Sequence, residues 1–155
     1  MTLNKNNKLK KTNSIIFFLI LFCSVLFNSV HAQYEVGINN LVMVSDKSVE
    51  FDVYAKSLYP LAINGYQCVV NCNTYSINGG SLTFSYLTGT SQFTNYPLYS
   101  IGVKTELNAT KLCFASNKGS DTISTSAKKI GRFRIVNTNS FRYDSLKIIW
   151  NLNQK

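Results

Sequence analysis

Two pairs of residues in this chain have types and spacings that could do chemistry. Glu50 and Asp52 lie two apart in "SVEFDVYAK", and Cys68 and Cys72 lie four apart in "GYQCVVNCN". Carboxylates two apart on a strand face fall near the roughly 5–9.5 Å separation that glycoside hydrolysis uses. Lys56 shares their face and no cleft-forming insertion flanks them, so surface charge is the expected role. The cysteines raise a disulfide or a metal clamp. Residues four apart on a strand share a face but lie about 13 Å apart. A disulfide needs Cα atoms within roughly 7 Å, so these two cannot bridge each other within one strand. A zinc site needs a second ligand pair. Beyond Cys23, only Cys113 remains to supply it, and no histidine follows His31. Burial is the economical role, with Tyr66, Cys68, Val70 and Cys72 on one face. Three cysteines in an exported chain are an odd number, so a bridge from Cys113 to Cys68 or Cys72 stays open.

Nucleophilic catalysis finds no support. Serine is plentiful, but there is no G-x-S-x-G, and no histidine stands outside the leader to activate a hydroxyl. No phosphate-binding or dinucleotide fingerprint occurs. No catalytic residue, metal site or cofactor is therefore expected. The segment "TGTSQFTNYPLYS" carries Phe93, Tyr96 and Tyr99 just after Tyr86. Aromatic faces on a rigid β scaffold stack on sugar rings or anchor a protein partner. They also fold back readily as minor core, and both roles stay open for these four residues. "NAT" at Asn108 has the form of a glycosylation sequon.

The elements that position these residues begin after a leader. Lys5, Lys8, Lys10 and Lys11 precede the apolar run "IIFFLILFCSVLF", and "SVHA" follows it. That is the layout of a secretory signal peptide over residues 1–32, cut before Gln33. The run is short of the roughly 20 residues a spanning helix needs, so no transmembrane segment is expected after cleavage. Phe22 before Cys23 is wrong for a lipoprotein signal. Residues 33–155 are then a single domain, long enough for a real core. They carry 12 basic and seven acidic residues, net +5 against +9 for the whole chain. The basic residues are scattered apart from "KKIGRFR", which suits a solvated strand face. A nucleic-acid partner is not expected.

Alternation marks the strands. Val49, Phe51, Val53 and Ala55 face one way in the first clear case, and Glu50, Asp52, Tyr54 and Lys56 the other. "SLTFSYL" puts Leu82, Phe84 and Tyr86 together, "GRFRIV" sets Gly131, Phe133 and Ile135 against Arg132, Arg134 and Val136, and "LKIIWNL" groups Leu146, Ile148 and Trp150. "SIGVKTEL" and "TKLCFAS" form two strands joined near Asn108, and an early strand lies within Val36–Val44. Turn clusters such as "SDKS", "INGG" and "NTNS" separate them. An all-β sandwich is the expected class.

The order "SVEFDVYAKS", "INGYQCVVNCN", "INGGSLTFSYLTGTSQF", "TKLCFASNKGSDTIS" and "KKIGRFRIVNT" resembles the cohesin-like modules. Their superfamily includes some cellulose-binding domains, and the likeness is to secreted modules of Bacteroidetes-type bacteria. It spans most of the chain after the leader. The resemblance implies an immunoglobulin-like or jelly-roll sandwich of about nine strands. It also implies that Gln67, Val69 and Asn71 face outward beside Arg132 and Arg134, on a sheet that in cohesins docks a protein partner. The expected function is a non-enzymatic, secreted or cell-surface binding module. Its ligand would be a polysaccharide, met through Tyr86, Phe93, Tyr96 and Tyr99, or an exported protein met through the outer sheet. The alternative is a structural subunit that works by assembly.

Overall fold

Period-two alternation in β2 (Ser48–Ser57) drives Val49, Phe51, Val53 and Ala55 into one interior. A computed structural model describes residues 34–150 apart from 107, 108, 118, 143 and 145. The leader and Asn108 of the sequon lie outside the described residues. β1 (Tyr34–Ser45) and β2 form a hairpin turned at Asp46 and Lys47, and β9 (Lys128–Asn137) pairs with the far side of β2. β5 (Leu82–Leu87) completes a four-stranded antiparallel sheet of order β1-β2-β9-β5.

The second sheet has the order β10-β4-β7-β6 and is also antiparallel throughout. Its strands are β4 (Tyr66–Cys72), β6 (Tyr99–Glu106), β7 (Ala109–Ser116) and β10 (Ile148–Trp150). β3 (Leu61–Ile63) and β8 (Asp121–Ile123) form a separate two-stranded ladder. The described residues therefore hold ten strands, in place of about nine. The surplus comes from three-residue strands, too short for alternation to mark.

A one-turn helix, α1 (Thr74–Ile77), interrupts the all-β pattern after β4. Asn73 caps it by accepting from the Tyr75 amide at 3.0 Å, and Asn78 ends it in the left-handed region at φ 55°. No helix among the described residues is long and apolar enough to cross a membrane.

The two four-stranded sheets bury one core between them, a sandwich-like all-β arrangement. Phe51, Phe84, Phe133 and Ile135 from the first meet Val70, Leu112 and Phe114 from the second. The Phe84 and Phe133 rings stack at 5.3 Å, and Phe114 crosses the layer to lie 4.3 Å from Phe133. Each phenylalanine buried this way contributes about 1.5–3 kcal/mol. Gly131 permits the close approach of Tyr86, whose ring would lie 2.6 Å from any Cβ there.

Candidate functional site

The sandwich has two outer faces, and the sequence-predicted residues divide between them. On the first sheet, Asp52 pairs in register with Arg132, and Glu50 with Arg134. The alternation that sends their neighbours inward sends these four outward, yet the carboxylates are nearly covered. Glu50 is 9% exposed and Asp52 3%. This corrects the expectation of plain surface charge. Arg132 bridges both acids, its Nε 2.7 Å from Glu50 and its Nη1 3.0 Å from Asp52. Arg134 Nη2 donates to Glu50 at 2.6 Å. Asp52 also receives Lys129 at 2.8 Å and the Asn40 amide at 2.8 Å. Asn40 reaches it because a bulge in β1 places that residue at φ 52°. Lys56 shares the outer face of β2 and pairs there with Glu35 at 3.0 Å.

This arrangement holds both groups as carboxylates. The guanidinium of Arg132, then that of Arg134, lowers the Glu50 pKa against the cost of burial. Burial pushes the Asp52 carboxyl up, but the bonds from Asn40, Lys129 and Arg132 together outweigh it and leave the pKa lowered. Glycoside hydrolysis needs one of its two carboxyls protonated as the general acid. Neither member of this pair is set up to hold that proton. The cluster ties β1, β2 and β9 together.

The aromatic segment separates into parts. Phe93 is buried in the core, edge-on to Tyr66 at 6.0 Å. Tyr86 is half-buried between Phe133 and Tyr96, and the two tyrosine rings stack at 6.1 Å. Tyr96 and Tyr99 are each 42% exposed. The segment is pinned from below by Asp121, which accepts from the Thr94 and Asn95 amides at 3.0 and 2.8 Å and from Lys128 at 3.0 Å. Burial raises the Asp121 carboxyl, and these donors, Asn95 first, carry it below its ordinary value. Tyr66 Oη donates to the Asn95 carbonyl at 2.8 Å, and Ser116 Oγ donates to its side-chain oxygen. Tyr96 and Tyr99 therefore project from a segment with fixed backbone.

Tyr99 belongs to the outer face of the second sheet, where register defines four rows. Tyr99, Ala115 and Gln67 make the first, and Gly102, Cys113 and Val69 the second. Lys104, Lys111, Asn71 and Ile149 make the third, and Glu106 with Ala109 opens the fourth. Asn73 continues the fourth row, its amide donating to the Lys147 carbonyl at 3.2 Å. Lys147 alternates with inward Ile148, which puts it on this outer side with exposed Ile149. A bulge with Ser100 at φ 52° shifts the register between Tyr99 and Gly102. Nothing lies within 4 Å of where a Cβ on Gly102 would sit, so the second row is open at its β6 end.

Gln67, Val69 and Asn71 do face outward, as expected, but Arg132 and Arg134 do not lie beside them. β4 and β9 belong to different sheets, so the two groups stand on opposite faces of the sandwich. A single sequence shows which residues share a strand face, but not which strands share a sheet. Val69 is also only 8% exposed, because a short side chain in a central strand is screened by longer neighbours. Gln67 is exposed and Asn71 half-buried, and Asn71 Oδ1 has no hydrogen-bond partner among the described residues.

Sequence reasoning missed Lys104, Lys111, Glu106 and Gly102. Their alternation with Val103 and Leu112 was present in the two strands, but their juxtaposition depends on the β6–β7 register. Glu106 lies 3.2 Å from Lys104 and 2.7 Å from Lys111, and Lys111, then Lys104, lowers its pKa.

The cysteine question resolves on the same register. Cys113 pairs with Val69 on the outer face, while Cys68 and Cys72 alternate inward on β4. A bridge would have to pass through the sheet, and all three thiols are free. Burial pushes the Cys68 thiol up to about 12 and raises that of Cys72. Comparison of the chain with protein-family models, curated proteins and solved structures finds no match.

Proposed function

We propose that this protein is an exported, non-enzymatic binding module with a cohesin-like jelly-roll fold. It holds a polysaccharide along the outer face of its second sheet. The observation that carries this reading is the row of small residues at Gly102, Cys113 and Val69, open at Gly102. Exposed Tyr99 and Gln67 stand on one side of it, and Lys104, Lys111 and Asn71 on the other. An extended sugar chain would lie over the small row with one ring against Tyr99. Its hydroxyls would meet Gln67 and Asn71. Tyr96, three residues before Tyr99, is exposed to the same degree and stacks on Tyr86, whereas Phe93 belongs to the core.

Retention on insoluble polysaccharides tests this. The unaltered protein is expected to be retained on at least one glycan, and Tyr99→Ala to reduce that retention about ten-fold. No retention on any glycan, or retention unchanged in both Tyr99→Ala and Tyr96→Ala, overturns the reading.

A second reading, assembly with another copy or an exported partner, is favoured by strand β1. This edge strand exposes Leu41, Val42 and Val44 around two register shifts. Light scattering across a concentration series tests it, and a strict monomer at high concentration counts against self-assembly.

A further inference from the structure

We infer that the polysaccharide is anionic and of the polyuronate class, with one carboxylate per sugar ring. The inference rests on the sheet-face reading above and deepens it. The third row sets Lys104 directly opposite Lys111 in the β6–β7 ladder. Like charges in directly opposed positions destabilise a sheet. Here a single carboxylate, Glu106, is shared between them. Lys147 adds a third cation to the same end of the face, and Glu106 is the one acidic residue in the four rows. This end of the face therefore holds more positive charge than its own residues neutralise. A local rule broken in this way is expected where a sheet is built to meet a ligand.

The first sheet leaves less unmet, since each of the two carboxylates on β2 contacts at least one arginine and Glu35 on β1 pairs with Lys56. The excess is larger on the second sheet, three lysines to one glutamate, than on the first, where Lys56, Lys129, Arg132 and Arg134 stand against Glu35, Glu50 and Asp52.

The two ends of that face ask for different chemistry. Tyr99, in register with Ala115, lies four residues along β7 from the row of Lys111. That is about 13 Å, the reach of a short run of sugars rather than of one ring. A uronate chain offers a flat ring face for Tyr99 and a carboxylate at the ring edge for the lysines. Three lysines against one glutamate make a modest excess, suited to one charge per ring. A heavily sulfated chain would carry several. Compact, hydrated ammonium groups also suit carboxylates presented in varied orientations along a chain.

The test is affinity electrophoresis of the purified protein through gels containing polygalacturonate, a neutral galactan or a sulfated galactan. Polygalacturonate is expected to retard the protein most. That retardation should fall at least about ten-fold as salt rises from roughly 0.05 to 0.5 M. Lys104→Gln with Lys111→Gln should lose about ten-fold of polygalacturonate affinity. A second pair, Arg134→Gln alone and Lys56→Gln alone, should lose none of it, which separates the site from net charge. Equal retardation by the neutral galactan, abolished in Tyr99→Ala, overturns the anionic assignment and leaves the sheet-face reading standing. Stronger retardation by the sulfated galactan overturns the polyuronate assignment in the same way. Retention of polygalacturonate binding by the double lysine variant also overturns it. No retardation by any of the three overturns the polyuronate assignment, and the sheet-face reading is then decided by retention on the insoluble glycans.

Discussion

The two outer faces of the sandwich both carry charged side chains and use them in opposite ways. On the first sheet, Glu50 and Asp52 sink among Arg132, Arg134, Lys129 and Asn40 until the carboxylates are almost covered. On the second, two lysines face each other over one glutamate and a glycine leaves open space. The comparison separates charge density from unmet requirement. The denser cluster is the one whose interactions are complete. A site is better sought where hydrogen-bonding and charge requirements are left over.

The largest effects should come from the buried side of the comparison. Phe93→Ala removes a core ring and should cost about 3–5 kcal/mol of stability in urea unfolding. Tyr96→Ala, on the exposed side of the Tyr86 stack, should cost less than about 1.5 kcal/mol. Near-equal costs would mean that the aromatic segment is one unit rather than core plus surface.

Asp52→Ala follows, since it strips the partner from Arg132 and Lys129 beneath β1. Breaking a buried pair from one side costs about 3 kcal/mol, and glycan retention should be unchanged. The acid limb of stability reports the same cluster. Glu50, Asp52 and Asp121 all have pKa values lowered by folding, from ordinary values of 4.5, 3.8 and 3.8. Their contribution is therefore fully present above the unfolded values and is lost as pH falls through the lower folded ones. Unfolding midpoints should stay level down to about pH 5 and fall below about pH 4. In Asp52→Ala the fall should be shallower. An unchanged acid limb would mean that the cluster does not hold the first sheet.

Much of this division was legible in the sequence, and the rest fails for one reason. Alternation gave the inward face of β2, β4, β5 and β9 residue by residue, because period two is a local property. It also foresaw that Cys68 and Cys72 could not bridge each other. It could not say that Arg132 and Arg134 lie on the other sheet from Gln67, since strand order is settled by long-range pairing. Nor could it separate Phe93 from Tyr99. The core position of Phe93 depends on Asp121 fastening the Thr94 and Asn95 amides that follow it, and Asp121 is far away in the chain. The burial of Glu50 and Asp52 was missed for a related reason. Their covering donors come from β9 and from a bulge in β1, and a bulge leaves only a weak mark on the pattern.

The smallest effect is the sharpest comparison of the two faces. Lys104→Thr places a β-branched residue in an exposed strand position and removes one member of a like-charged cross-strand pair. Lys111 keeps Glu106 at 2.7 Å, and the pair that is lost, Lys104 with Glu106 at 3.2 Å, is an exposed one that contributes little. Relief of repulsion and better strand propensity both act in the same direction, by about 0.5 kcal/mol together. The variant should therefore be slightly more stable than the natural chain and bind polygalacturonate more weakly. Arg132→Thr, the corresponding change on the first sheet, should destabilise and leave binding alone. Stability and binding would then move in opposite senses on the two faces. That is the signature of residues retained for a ligand rather than for the fold. If Lys104→Thr instead destabilises while binding holds, the second face is a structural ion network like the first, and the asymmetry between them disappears.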